Sequence, residues 1–319
     1  MTLWPVLRPV LRPALRGMFD TGDAIRIVGP AAFAGAFSRT TVGNARPASG
    51  AGWEAYAIDR PRFTGPGRAL LWENLRANLL LNSVAPATQS VTVTAQAYTL
   101  TFEGTGSVTL SGASTGTLAG TGANNRVSRT FTPTAGSLTL TVTGDVRLAQ
   151  LEAGAFPTSW ITTGGSAVTR ASDVATFAPA NGQRGTLLGT VTFPFLDAYQ
   201  APVLVSANGN IANGFWWRVN SAGTLVAQGA VGGAASQSAG AVASPAGHPL
   251  NFALAWDEVS AVLRVAGSAP LNFGGMVPAA GLNRVSVAGH SSFPTFLEMP
   301  RLDYYAARLP DAQLQAFAA

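Results

Sequence analysis

The C-terminal half carries Asp173, Asp197, Asp257, Glu258, Glu298, Asp303 and Asp311, and a pair of carboxylates about 5–10 Å apart is what hydrolysis of a glycosidic bond ordinarily requires. The spacing offers little of that kind. Asp257 and Glu258 are adjacent, follow "ALAW" and open a turn toward "SAVLRVAG", where paired acids mark a solvated hairpin tip. Glu298 and Asp303 are the best remaining pair. Nucleophilic triads need a histidine, and only His248 and His290 exist; His290 stands beside Ser291 and Ser292 in "AGHSS" without a Gly-x-Ser-x-Gly elbow. Two isolated histidines make a poor metal site, and the absence of cysteine excludes thiolate catalysis, disulfides and Cys-ligated zinc. The glycine-rich "SGASTGTLAGTG" lacks the Gly-Lys-Ser/Thr ending of a phosphate loop and reads as turns. No catalytic residue, and no enzyme, is expected.

Binding chemistry is better represented. In "NGFWWRVNSAG" two tryptophans are neighbours, and on a strand neighbours face opposite ways. Phe215, Trp217 and Val219 share one apolar face and read as core. Trp216, Arg218 and Asn220 share the other: an aromatic plate, a guanidinium fork and an amide, the groups with which proteins hold sugars. Two readings are open for this second face. It is a carbohydrate platform on an exposed sheet, with Arg218 suited to an acidic or acetylated sugar. Alternatively, Trp216 lies under a loop or a neighbouring subunit, with Arg218 stacked on it.

Strands must position such a face, and the composition supplies them. Of 319 residues only 11% are charged, with 36 Gly and 20 Pro, against about a quarter charged in ordinary soluble domains. From Gln89 onward the pattern has period two: "SVTVTAQA", "YTLTFEG", "SVTLSG" and "SLTLTVTG" alternate apolar residues with Thr and Ser between glycine turns. Short alternating strands at about 8–12-residue spacing indicate antiparallel sandwiches or barrels. "QLEAGAFPTSWITTGGSAVTRASD" reads as a connector in which Trp160 pins two units together. The segment after it is again β-rich; Trp256 is core, Tyr304 and Tyr305 split across faces, and Asp311 caps a short final helix. At the other end "PVLRPVLRPALR" places proline every fourth residue, so no regular helix forms. This arm either docks on another subunit through Arg8, Arg12 and Arg16, or folds back on its own domain or stays disordered. All 20 basic residues are Arg, scattered singly, with a net charge of +5, a weak pattern for nucleic acid. No stretch reaches the ~20 apolar residues of a membrane span, and no signal peptide is read, so synthesis in the cytoplasm is expected.

Several of these segments resemble proteins of bacteriophage tails and phage-like particles, including gene transfer agents, whose fibres and spikes meet the host. "RPRFTGPGRALLWENLRANLLLNS" is similar to their lead-in, with its Arg-Phe, leucine-rich strand with Glu, Asn-Leu-Leu and Asn-Ser. "AQLEAGAFPTSWITTGGSAVTRASD" is the closest match, a Gln-Leu-Glu strand running into Thr-Ser-aromatic-Ile and Ser-Ala-Val-Thr-Arg. "ATQSVTVTAQAYTLTFEGTGSVTLSG" resembles a carbohydrate-binding-module-like sandwich. "FALAWDEVSAVLRVAG" and "RLDYYAARLPDAQLQAF" resemble a laminin-G/concanavalin-like lectin domain. The resemblance covers about residues 60–319. The Glu-x-Asp-x-x-Glu strand of concanavalin-like hydrolases is absent. Related lectin-like sandwiches often bind Ca2+, but no Asp-x-Asp-x-Asp loop supports it here, and no cofactor is expected.

The expected fold is mainly β: an extended N-terminal attachment region (1–70), a small sandwich (71–156), a linker (157–172) and a lectin-like jelly-roll sandwich (173–319). The resemblance implies a head spike or tail fibre on the particle surface. Its partners would be host surface polysaccharide and other virion proteins, and it would work as a homo-oligomer without nucleic acid or membrane insertion.

Overall fold

The computed structural model describes residues 24–29, 32–196, 199–243, 245–273, 281–288 and 295–319. Two antiparallel β-sandwiches make up the molecule, as the alternating pattern requires, with one short helix among the described residues.

The smaller sandwich follows directly from period two. Gly116–Ala119, Ser107–Gly112, Gly136–Thr143 and Gln89–Val93 form one sheet; Gly122–Phe131, Tyr98–Gly104 and Val146–Ala153 form the other. Leu100, Phe102, Val108, Leu110, Leu138, Leu140 and Leu151 point inward and are buried. The alternate positions carry hydroxyls to the outside, where cross-strand pairs bond: Ser90 with Thr139 at 2.8 Å and Thr109 with Thr117 at 3.0 Å.

In the larger sandwich one sheet runs Ala234–Ala241, Thr224–Val231, Asn210–Val219, Gln200–Ala207, Arg284–Val287, Val174–Phe177, Ala36–Ser38. The facing nine-stranded sheet is centred on Phe296–Tyr305, Gly185–Thr192 and Pro249–Trp256. Phe215, Trp217, Phe252, Trp256 and Tyr304 meet between the sheets. The rings of Trp217 and Phe252 lie 5.2 Å apart and those of Phe215 and Trp256 5.4 Å apart. Tyr304 belongs to this core. Tyr305, on the other face, is also buried, beneath the terminal helix α1 (Asp311–Ala318) with Leu188, Ala253, Val262 and Leu314. Asp311 is the first helical residue and not the cap, which is Pro310; its carboxylate pairs with Arg308 at 3.0 Å and lies at the favourable end of the helix dipole.

The chain is divided differently from the expected boundaries. Residues 1–23, with Arg8, Arg12 and Arg16, lie outside the described residues. The described part of the expected attachment region does not stand apart. Ala24–Gly29 and Ala69–Glu73 both pair with Phe296–Tyr305, and Ala36–Ser38 pairs with Val174–Phe177. Ile27, Val28, Leu70 and Trp72 therefore fill the larger core. The boundary at residue 70 falls inside a strand. Besides the adjacent Arg62–Thr64, its partner Phe296–Tyr305 lies more than two hundred residues further along the chain, and no local pattern records that pairing.

The N-terminal segment also grips the smaller sandwich. The Trp53 ring lies between the guanidinium groups of Arg46 (4.2 Å) and Arg126 (5.1 Å), and its Nε1 donates to Glu103 at 3.0 Å.

Candidate functional site

The face expected to hold sugar is corrected by the structure. Phe215, Trp217 and Val219 point inward, as alternation dictates, and Trp216 points outward. Yet Trp216 is only 3% exposed, clustered with Ala201, Leu204 and Ala230. A stacking platform needs an open ring face, and this ring has none. Arg218 lies over Tyr199 at 4.7 Å and donates toward Gln237 at 3.4 Å. Asn220 is a turn residue: its Oδ1 accepts from the Thr224 amide at 2.9 Å, closing the hairpin, so it does not extend the face. The three side chains do not converge on one open surface.

The candidate acids do not converge either. Asp303 is buried and clamped by Arg26 and Arg301. Glu298 is half-buried; burial, and then nearby Glu73, raises its carboxyl above the usual carboxylate range. Asp257 accepts bonds from Val259 and Ser260 within its own turn, and Glu258 meets Arg184 at 3.5 Å, the arrangement of a solvated hairpin tip. His248 is exposed. Asp197, His290, Ser291 and Ser292 lie outside the described residues.

The charged groups that do converge sit where the two sandwiches meet. Arg39, Arg62 and Arg170 face Glu73 and Asp173, all essentially without solvent exposure. Glu73 accepts from the Ser159 amide (2.7 Å), the Ser159 hydroxyl (2.6 Å) and Arg62 (2.6 Å). Asp173 accepts from the Glu73 amide (2.9 Å), Arg39 (3.0 Å) and the second Arg62 nitrogen. Next to this cluster, Asn78 donates to the carbonyls of Ala149 and Ile161. Gln150 accepts from the Ile161 amide, and Glu152 takes both the amide and the hydroxyl of Thr158 at 2.7 Å. Asn44, from the N-terminal segment, holds the Trp160 carbonyl at 2.8 Å. Residues 158–161 and 163 of the connector are thus buried, their backbone satisfied by side chains from both sandwiches, while residues 164–167 are exposed. These are the residues of the lead-in and connector motifs, and the structure gives them an architectural role.

Electrostatics fix the sign of their pH dependence. Burial alone would raise the Glu73 carboxyl, but Arg170, Arg62 and the Ser159 bonds outweigh it and hold it at about 2, below 4.5. Its contribution, on the order of 3 kcal/mol, is therefore complete above pH 4.5 and lost as pH falls toward 2. Glu152, raised by burial against its Thr158 bonds, acts in the opposite sense, favouring the fold as it protonates. The thermal midpoint should fall across pH 4.5 to 2; a midpoint constant through that window would remove Glu73 as the controlling group.

An open recess lies elsewhere, at one end of the seven-stranded sheet. It is shallow, open to solvent, and lined by Thr176, Phe177, Ala178, Asn208, Asn283 and Arg284. The hairpin joining Gln200–Ala207 to Asn210–Val219 turns through Asn208 (φ 54°) and Gly209 (φ 78°), the left-handed pair of a tight I′-type turn. Asn283 locks that turn: its Oδ1 accepts from the Asn208 amide (2.8 Å) and its Nδ2 donates to Asn208 Oδ1 (2.7 Å). The Phe177 ring is steadied by Tyr304 at 5.6 Å. "SANGN" announces the turn in the sequence, but nothing local announces Asn283 and Arg284 beside it.

No protein-family model matches the chain, and no curated protein matches it. Among solved structures it is similar to Trypanosoma rangeli sialidase in complex with the inhibitor DANA, at 17% identity and a TM-score of 0.36, over 46% of this chain and 26% of that one. It is also similar to the Ruminococcus gnavus IT-sialidase CBM40 bound to α2,3-sialyllactose, at 18% identity and a TM-score of 0.36, over 43% of this chain and 83% of that one. A third is the K499G mutant of NanB sialidase from Streptococcus pneumoniae, at 10% identity and a TM-score of 0.33, over 43% of this chain and 25% of that one. The chain thus spans about a quarter of the length of the Trypanosoma rangeli enzyme. Likeness this partial assigns neither ligand nor chemistry.

Proposed function

We propose that this chain is a structural and adhesive component of a phage-like particle, a head spike or tail fibre, that holds host surface polysaccharide through the cleft at Asn208, Asn283 and Arg284 without cleaving it. The observation that carries the reading is the lining of that cleft. Amides, a hydroxyl, a guanidinium and a ring are the groups that bind sugar hydroxyls and sugar faces, and no carboxylate is among the lining residues to act as acid or base. The resemblance of residues 60–83 and 149–173 to lead-in and connector segments of particle proteins supports the placement on a particle. Exposed on that surface in a symmetric oligomer, individually weak sites would gain by simultaneous engagement.

Retention of the full chain on immobilised bacterial capsular polysaccharides, neutral and acidic, tests the reading, with the polymer sized before and after. Saturable retention with unchanged polymer length is expected. Shortened polymer would make the protein a depolymerase, and no retention on any polymer would remove the adhesive role.

A further inference from the structure

The cleft has a chemical bias that hydroxyl recognition alone does not require. Its one charged group is a donor. Arg284 brings five N–H groups and no acceptor. The Asn208 Nδ2 group donates to no described residue, whereas the oxygens of both amides are already engaged: Asn208 Oδ1 by Asn283 Nδ2, and Asn283 Oδ1 by the Asn208 amide.

Arg284 also differs from most other arginines of its sandwich. Among the described residues, Arg184, Arg264, Arg301 and Arg308 each face a carboxylate, and Arg218 stacks over Tyr199. Arg284 has neither a carboxylate nor a ring partner among them. Its guanidinium lies close over the hairpin turn at Gly209, where a Cβ would stand 2.8 Å from its Nη1. A cation with no carboxylate partner among the described residues, beside an amide nitrogen that donates to none of them, suits a negatively charged ligand.

We infer that the cleft selects an acidic sugar: Arg284 takes the carboxylate of a uronate-type residue, Asn208 donates to its ring hydroxyls or to the same carboxylate, and Phe177 borders its apolar side. The inference rests on the reading of the cleft as a glycan site and adds the charge of the ligand. The planar fork matters as well as the charge, since a carboxylate accepts two parallel N–H bonds from a guanidinium and only a point contact from an ammonium.

The test uses the full chain on immobilised polygalacturonate, alginate and hyaluronan, each beside its carboxyl-reduced, neutral counterpart, with wild type, Arg284→Gln and Arg284→Lys. The wild type should bind at least one acidic polymer about tenfold more tightly than its reduced form. That preference should weaken as salt rises from about 50 to about 500 mM. Arg284→Gln should abolish it at an unchanged thermal midpoint, and Arg284→Lys should keep part of it. Equal binding to acidic and reduced polymers would overturn the acidic preference and leave the glycan reading standing. A preference that survives in Arg284→Gln would place the charge-reading group elsewhere and overturn the assignment. Binding to none of the six polymers would remove both readings.

Discussion

Replacing Arg62 with alanine should destabilise the folded chain by about 3–5 kcal/mol, the usual result of removing one partner from a buried ion pair. Arg62 has no exposed side-chain surface and joins Glu73, Asp173, Ser159 and the Asn44 carbonyl. Without it, three guanidinium groups facing two carboxylates become two facing two, which removes the cluster's excess positive charge. The penalty therefore does not come from net charge. It comes from geometry: Glu73 and Asp173 each lose a close donor while staying out of water, and the cost of an unsatisfied buried group is large. Arg62→Lys keeps the charge but not the fork that reaches both carboxylates at once, so it should recover only part of the loss.

The effect should also be localised. Ser159 belongs to the connector and Glu73 to a strand of the larger sandwich that leads toward the smaller one, so the network is what fastens one unit to the other. Limited proteolysis should show cleavage within residues 157–172 of Arg62→Ala under conditions where the wild type is intact. The contrast is Arg184→Ala, which breaks an exposed pair with Glu258 and should change stability by no more than about 0.5 kcal/mol. Calorimetry giving the two variants similar losses would mean that the junction network is not what holds the sandwiches together.

Local periodicity made much of this fold legible. The Thr-alternating strands between residues 89 and 143 could be placed because period two is a property of each strand by itself; their pairing, such as Gln89–Val93 with Gly136–Thr143 and Tyr98–Gly104 with Gly122–Phe131, is long-range. The inward face of Phe215, Trp217 and Val219 could be assigned for the same reason. Non-local pairing was not legible. "AIRIVG" joins the larger sheet by pairing with Phe296–Tyr305, where Arg26 meets Asp303, 277 residues away, and neither segment mentions the other. The connector showed a related limit. Its Ser, Thr and Gly content reads as a loop; residues 157–167 are one and Val168–Arg170 is a short strand on Arg76–Asn78, but composition does not distinguish a solvated loop from one buried among Asn78, Gln150, Glu152 and Glu73. The cleft was missed in the same way, since Asn208 and Asn283 come together only when Gln200–Ala207 and Arg284–Val287 lie side by side. Asn220 was misread on the sheet face because period two was carried one residue past the strand end, into a turn that uses its amide.

The two adjacent tryptophans give the sharpest division between core and surface chemistry. Trp217→Ala should cost about 3–5 kcal/mol. The ring has no solvent exposure and packs against Phe252 at 5.2 Å and, edge-on, Phe193 at 6.5 Å, so little can collapse into the space it leaves. Trp217→Phe should cost less. It retains most of the contact area and also removes an indole N–H that is buried with no hydrogen-bond partner among the described residues. Trp216→Ala should cost less than Trp217→Ala, because Trp216 packs on the outer face of the sheet against mostly small neighbours, Ala201, Ala230 and Leu204. Glycan retention separates the roles further. If the sugar is held at Asn208, Asn283 and Arg284, Trp216→Ala should leave retention intact. A folded Trp216→Ala protein that no longer binds would instead put the binding surface back on the face that Trp216 shares with Arg218.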